Sequence, residues 1–590
     1  MKKLGLVAIT VLMASLLSSA ALYALPEGEQ VENGSATFDK PTPTVLNITA
    51  SDKAVINFNS FNIAHNEVVT FVQPSSDASV LSRVTGSQMS QIYGSLNANG
   101  TLFLVNPNGI YFAPTAQVNV NNLVASTLDI STNNFINGNY ILEHNVNSDF
   151  AYILNEGRIT ASNIALIASA ACNGETGVLV ARAGTVNLAS GNKVAVSFDM
   201  RGFLQVEINE KTTGKVLDMN GNDVKNAIKN TGTIEATQVL MSAKTANDIF
   251  ENAVNNTGIV KATGMVEENG VIKIVSNKNI RASGTLEAKA GKVVVSSEDF
   301  VGVSATLETT GDTQIKADGD IRVDADITTD SGDLDLIADA DLDGTGAFKQ
   351  AKGTFVSTLN FGDITIQSSG EGTLANINSA GDLTLKRGGA PAVFTQWPDS
   401  RISTRGSVRI GDGVTVNAGD TIYEIGKDWR NYGNFIPEMS TVRLVSEQEA
   451  FVLGSNKFNN FTIEAPGKIV RFDPEATLVI AGTLTLRGAY GRLLVLGSIE
   501  PPKQWKILPQ GDTEISYVLL GDCINIRGPP LEALHSSSSG NNVNFDLDSY
   551  WTGQGTTPNW SDPDNWDIGT TPLENSSILF NNFSNLDSVI

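Results

Sequence analysis

Two cysteines and three histidines are all that 590 residues contain, and that scarcity removes whole classes of chemistry. Cys172 and Cys523 stand 351 positions apart, too sparse for a disulfide framework. They read as buried or incidental thiols, with a single long-range disulfide as the alternative. His65, His144 and His535 are scattered, and none sits in an HExxH or nucleophile-elbow context. The stretch from Gly284 to Lys292 ends in Gly-Lys, yet its first glycine comes two positions early and Val293 follows where a phosphate loop needs Ser or Thr. The residues assemble no catalyst and no cofactor site, so the chain reads as not an enzyme.

Basic charge is also short. Forty Lys and Arg stand against 63 Asp and Glu, a net charge of −23, and phosphate binding needs concentrated cations, so nucleic acid is excluded as a partner. Helical patterning is nearly absent beyond the first two dozen residues, and no later apolar run is long enough to span a membrane. The start itself has Lys2-Lys3, an apolar run from Leu4 to Leu17 and small residues through Ala21. This predicts a secretory signal over 1–24, cleaved between Ala20 and Ala24, and an exported mature chain without a transmembrane segment.

What the chain has is strand and turn chemistry. Glycine is plentiful at 54 and proline sparse at 19, while Val, Ile, Thr, Asn and Asp recur in short alternating runs. The phrase Asn-x-Gly-x-apolar-x-Ala occurs at Asn155 to Ala161, Asn230 to Ala236 and Asn256 to Ala262, and more loosely at Ala282 to Ala288. Gly232, Gly258 and Gly284 are 26 apart, and Gly157 lies 75 before Gly232, a distance that predicts about three further turns. One strand phrase per 20 to 30 residues is the mark of a β-solenoid. From Gly311 the phrase becomes Gly-Asp followed by alternation, starting at Gly311, Gly332, Gly362 and Gly381. At roughly 4.8 Å per coil, residues 30–420 predict a rod on the order of 80 Å.

One turn stands out. Asn106-Pro107-Asn108-Gly109 interrupts the apolar runs Thr101 to Val105 and Ile110 to Phe112. Pro107 presets its φ, Asn106 before it is pushed extended, and Asn108 and Gly109 tolerate positive φ, so the chain must corner here. The segments around it, Val55 to Ile63, Val69 to Pro74, Leu81 to Gly86, Ile92 to Phe112 and Gln117 to Ser131, together resemble the secretion domain of filamentous-haemagglutinin-type exoproteins of two-partner secretion systems. Phe58 stands where many relatives carry an aromatic such as Trp, and Ala113-Pro114 replaces a glycine-containing pair.

The resemblance implies an all-β, right-handed parallel β-helix with the secretion domain at its amino-terminal end. It also implies export through a dedicated outer-membrane β-barrel transporter with periplasmic POTRA domains, and an adhesin at the surface of, or released from, a diderm bacterium. The expected organisation is a signal over 1–24, secretion domain 25–200, repeat rod 201–427, a second, more aromatic β region 428–535, and a loop with a Trp-containing module 536–590. The sequence stops at Ile590 in mid-texture, which leaves a fragment or an absent terminal effector both open. For transporter recognition the candidates are Asn106, Pro107, Asn108, Gly109 and Ile110 with Asn57 and Asn62; the alternative is that these asparagines only satisfy coil corners. A host, bacterial or glycan receptor would complete the partners of a monomeric rod.

Two other clusters stand out in the sequence. The aspartates from Asp320 through Asp324, Asp326, Asp330, Asp333, Asp335, Asp339 and Asp341 to Asp343 read as a solvated outer face that resists lateral aggregation, with calcium between coils or a polysaccharide-cleaving site as alternatives. Trp551, Trp560 and Trp566 read as the core of a small β module, with sugar stacking as the alternative. A carbohydrate-active β-helix enzyme and a structural surface rod are the competing functions.

Overall fold

A computed structural model describes residues 25–263, 270–573 and 576–580; the expected signal over 1–24 lies outside the described residues. Each coil of the chain runs along three faces. Arg158–Thr160 lies on the first, Asn163–Ala168 on the second and Ala170–Asn173 on the third. The next coil pairs with it in parallel, Arg158 beside Val178, Ile164 beside Val186, and Ala171 beside Ile228. Repetition of this pattern gives a β-solenoid of about 21 turns, with 47 strands joined in one sheet. At roughly 4.8 Å per turn the rod is on the order of 100 Å long.

Strand alternation explains the core. Ile159, Leu179, Ile234, Val260 and Leu286 are register neighbours in five successive coils, and all five are fully buried. Each such side chain contributes about 1.5–3 kcal/mol through burial, and none could be buried by one coil alone.

The two repeat phrases turn out to be corner chemistry. The first asparagine of each Asn-x-Gly phrase points inward and bonds to the next coil. Asn155 Nδ2 donates to Asn173 Oδ1 at 2.8 Å, Asn173 Nδ2 to Asn230 Oδ1 at 2.9 Å, and Asn230 Nδ2 to Asn256 Oδ1 at 2.8 Å. In the Gly-Asp phrase the carboxylate reaches along the rod instead. Asp333 Oδ1 accepts from Asp363 N at 2.9 Å, Asp363 Oδ1 from Asp382 N at 2.7 Å, and Asp382 Oδ1 from Ser407 N at 2.6 Å.

Two expectations need amendment. Between Gly157 and Gly232 there are two coil steps, not three, because Arg158 pairs with Val178 and Val178 with Thr233. The excess residues leave the stack: Lys193–Phe198 and Leu204–Glu210 join Tyr140–Glu143 in a separate antiparallel sheet. The aromatic stretch after 428 continues the same sheet, with Trp429 beside Val408 and Val452. Trp429, Phe435 and Phe458 pack edge to face as a ladder of rings inside it. Glycine at 232 and 258 is required by space, since a Cβ at Gly258 would lie 2.3 Å from the Gly232 carbonyl oxygen.

Candidate functional site

The amino-terminal coils differ from the rest of the rod in having two cores. Strands Ala54–Phe58, Ser79–Val84, Ser95–Val105, Gln117–Ser126 and Asn163–Ala168 bury their inward side chains in the solenoid. Their outward Val55, Leu81, Phe103, Val124 and Ala165 are buried as well. A second layer covers them: the short helix Thr132–Ile136, capped by Ser131, which brings Phe135, and the antiparallel sheet, which brings Leu142, Val194 and Leu204. Strands buried on both sides read as continuous apolar runs, which is why this third of the sequence loses strict alternation. The open end is closed by antiparallel pairing of Gln30–Asn33 on Ala54–Phe58 and of Ala36–Thr42 on Val45–Ala50. Free N–H and C=O groups of the first coil are thereby satisfied.

The segments singled out in the sequence come together along one corner. Asn57 is the register neighbour of Arg83, and Arg83 of Val105, so three successive coils stack these residues, and Asn106 begins the corner one residue further on. Phe58 O accepts from Thr85 N at 2.8 Å, and Gly86 O accepts from Asn108 Nδ2 at 2.8 Å. Asn106 is fully buried. Its Nδ2 donates to Gln88 O and Ser90 Oγ, both at 2.9 Å, and its Oδ1 accepts from Asn108 N at 2.9 Å. Gly109 has φ of 114° and donates to Asn106 O at 3.1 Å; a Cβ there would lie 2.7 Å from Met89 Cε. Ile110 is fully buried and paired with Ser90 and Ile153. Asn62 Oδ1 accepts from Gln91 N at 2.8 Å.

Asn62, Asn106 and Asn108 thus hold backbone groups of neighbouring segments, while Asn57 lies within a strand and bonds Glu32 and Arg83. Pro107 and Asn108 are only half-buried, and they form one wall of a groove of about 610 Å³ whose other side includes Tyr152, Lys215 and Leu217. These are the two side chains of the turn that solvent can reach.

Sequence reasoning missed Arg83, Glu32 and Asp129. Arg83 donates to Asp129 Oδ1 at 2.9 Å, Glu32 Oε2 at 3.0 Å, Asn57 Oδ1 at 3.3 Å and the Ile130 carbonyl. Its side chain is only 12% exposed. Glu32 also accepts from Thr132 Oγ1 at 2.6 Å and Asn57 Nδ2 at 2.9 Å. Hydrogen bonds from Thr132 and Asn57, with the Arg83 charge, hold the Glu32 carboxyl below its ordinary value. One guanidinium thus ties the cap, two coils and the covering helix together. A lone arginine inside the strand Ser79–Val84 was the available signal.

The remaining candidates separate. His65 is exposed in a loop, His144 stacks on Phe150 at 4.2 Å, and His535 Nδ1 lies 2.6 Å from Asp567 Oδ2. Cys172 and Cys523 are free thiols, and burial pushes the Cys172 thiol up to about 11. The aspartate run is not one solvated face: Asp320 accepts from Ala347 N and Asp326 from Phe355 N, both at 2.8 Å. Among the described residues the carboxylates of Asp339, Asp341 and Asp343 converge within 4.8 Å. Asp339 is buried and accepts from Gly389 N at 2.7 Å and Gly344 N at 3.2 Å, so the loop's own backbone uses it. Trp551 and Trp566 are buried, with Trp560 4.6 Å from Trp566, as the core of a small module. No described helix is long and apolar enough to cross a membrane.

The TPS secretion domain family matches residues 23–288. A heme/hemopexin-binding protein of Haemophilus influenzae strain Rd is 29% identical over 314 residues, which is 50% of this chain and 32% of that protein. A second protein of that name from Haemophilus influenzae is 37% identical over 135 residues, 22% of this chain and 14% of its own length. The chain thus spans about a third or less of these relatives. Among solved structures, the HMW1 secretion domain from Haemophilus influenzae aligns with 76% of this chain and 100% of itself, at 22% identity and a TM-score of 0.40. The filamentous hemagglutinin secretion domain aligns with 63% of this chain and 100% of itself, at 13% identity and a TM-score of 0.25.

Proposed function

We propose that this chain, whose residues 23–288 match the TPS secretion domain, is an exoprotein of a two-partner secretion system and a surface or secreted adhesin built as a monomeric rod. Its amino-terminal coils engage the POTRA domains of a dedicated outer-membrane β-barrel transporter, the chain crosses unfolded, and these coils fold first outside. The matched families are exoproteins and not enzymes.

The observation that carries this reading is the capped, double-cored first third. Among the described residues it is the part of the rod with an end closed by antiparallel strands and a second hydrophobic layer, so it has the means to fold before any later coil exists. Each later coil finds its partner strands already in place, which makes folding directional and opposes back-sliding. Two free thiols leave no crosslink to obstruct threading. In the unfolded chain, the backbone of a strand from this region can add to a sheet edge of the transporter, with the residues from Asn106 to Ile110, together with Asn57 and Asn62, as contact points.

The test is release of folded protein into the medium with and without a co-expressed candidate transporter. Release is expected to require the transporter, and replacing Asn106 and Asn108 by alanine is expected to block it. Refolding of the purified double variant separates the two roles of the turn: a variant that refolds but is retained has lost recognition, and one that cannot refold has lost the corner. Unimpaired release of the double variant removes the turn from the export mechanism.

A further inference from the structure

We propose that a groove along the third face, beside Trp397, binds an extended oligosaccharide. This deepens the adhesin reading and rests on it, naming the chemical class of the receptor and where it docks. Of the six tryptophans, Trp429, Trp505, Trp551 and Trp566 are fully buried, and Trp560 packs against Trp551 and Trp566. Trp397 is 37% exposed and has no ring partner among the described residues. An unburied indole on a rod this rich in polar side chains has a contact surface to offer.

The ring is held in place. Trp397 N donates to Leu374 O at 2.9 Å, and its indole Nε1 donates to Gln350 O at 2.8 Å. The backbone is tied to the preceding coil and the indole to the coil before that, so little rotamer freedom remains to be lost on binding. Beside it the outward residues Arg322, Lys349, Thr373, Thr395 and Asn417 are register neighbours in five successive coils. They line a groove of about 590 Å³ with Glu371 and Trp397. Their repeat of roughly 4.8 Å along the rod is close to the length of one pyranose in an extended glycan, so successive sugars meet successive side chains. Gly372 lies in the floor, where a Cβ would come within 2.7 Å of the Phe348 carbonyl oxygen and 3.2 Å of the Phe394 ring. The chemistry is that of sugar recognition: an aromatic face for the C–H side of a ring, and hydroxyl, amide, carboxylate and cationic groups for its hydroxyls. A peptide would ask for an enclosed apolar anchor pocket, whereas the row beside Trp397 and Val393 presents the polar side chains of Arg322, Lys349, Thr373, Thr395 and Asn417.

The experiment is a glycan array probed with the secreted full chain and with Trp397→Ala, each checked for an unchanged circular dichroism melt. Wild-type binding to one or more saccharides, weakened at least tenfold in Trp397→Ala, is the expected result. Equal binding by Trp397→Ala, or no saccharide retained by the wild type, overturns the proposal. If Trp397→Ala fails to fold, Thr373→Arg, which fills the groove from a solvent-facing position, replaces it and is read in the same way. Transporter-dependent release of Trp397→Ala is expected at the wild-type level, so failure of the groove and failure of the secretion reading give different results.

Discussion

Asn106 shows how one side chain can specify a corner. It is buried, it satisfies two acceptors of the adjoining coil, and its Oδ1 holds Asn108 N in the turn. Asn106→Ala removes these three bonds and a fourth from Asn108 Nδ2 to the same oxygen, so it is expected to lower stability by about 1–3 kcal/mol, read as a fall in the urea midpoint of the refolded protein. Glu32 makes a pH-dependent prediction. Its folded-state pKa lies below the ordinary 4.5 because of hydrogen bonds from Thr132 and Asn57 and the charge of Arg83. Its contribution is therefore complete above the unfolded value and lost as pH falls through the lowered one. The stability advantage of wild type over Glu32→Gln should be constant near neutrality and shrink below pH 4.5, as measured by denaturant midpoints across that range. An advantage that does not change with pH would assign Glu32 a purely steric role.

At the scale of the coil, the two ladders do the work that loops do in other folds. Asn230 is bonded to Asn173 on one side and Asn256 on the other, with no solvent access. Asn230→Ala leaves both neighbours short of a partner and is expected to cost about 2–4 kcal/mol. Amide exchange should accelerate in the coils of Asn173 and Asn256 before it does in distant coils. Gly258→Ala tests the spatial requirement: with normal φ but a backbone oxygen 2.3 Å from the added carbon, it is expected to destabilise by about 1–3 kcal/mol. A neutral result would mean the coils can separate at no cost.

At the scale of the whole rod, stability is a sum of neighbouring interfaces. Ile315 is fully buried on the second face, and Ile315→Asp places an unpaired charge in the middle of the stack. The expected outcome is a break in the rod and not global unfolding. Limited proteolysis should open sites near residue 315 while the double-cored amino-terminal third stays resistant. If that third is digested at the same rate as the middle, it is not an independent folding unit and loses its place as the nucleus.

Sequence alone determined the period, the alternation and the corner residues, because each is local: an inward side chain every second position, a glycine or asparagine where the chain turns. The parallel solenoid was legible from Gly232, Gly258 and Gly284, and the secretion domain from the ordered segments around Asn106. Tertiary structure decided what lies across coils. Nothing local says that Asn57, Arg83 and Asn106 share a corner, or that Glu32 reaches Arg83 from the cap. A gap of 75 residues could equally hold a third coil or an antiparallel sheet outside the stack. Trp397 carries no mark that separates it from Trp429, although one is exposed beside a groove and the other is buried in a ring ladder. Exposure and register are properties of neighbours many residues away, and only the stacked coils supply those neighbours.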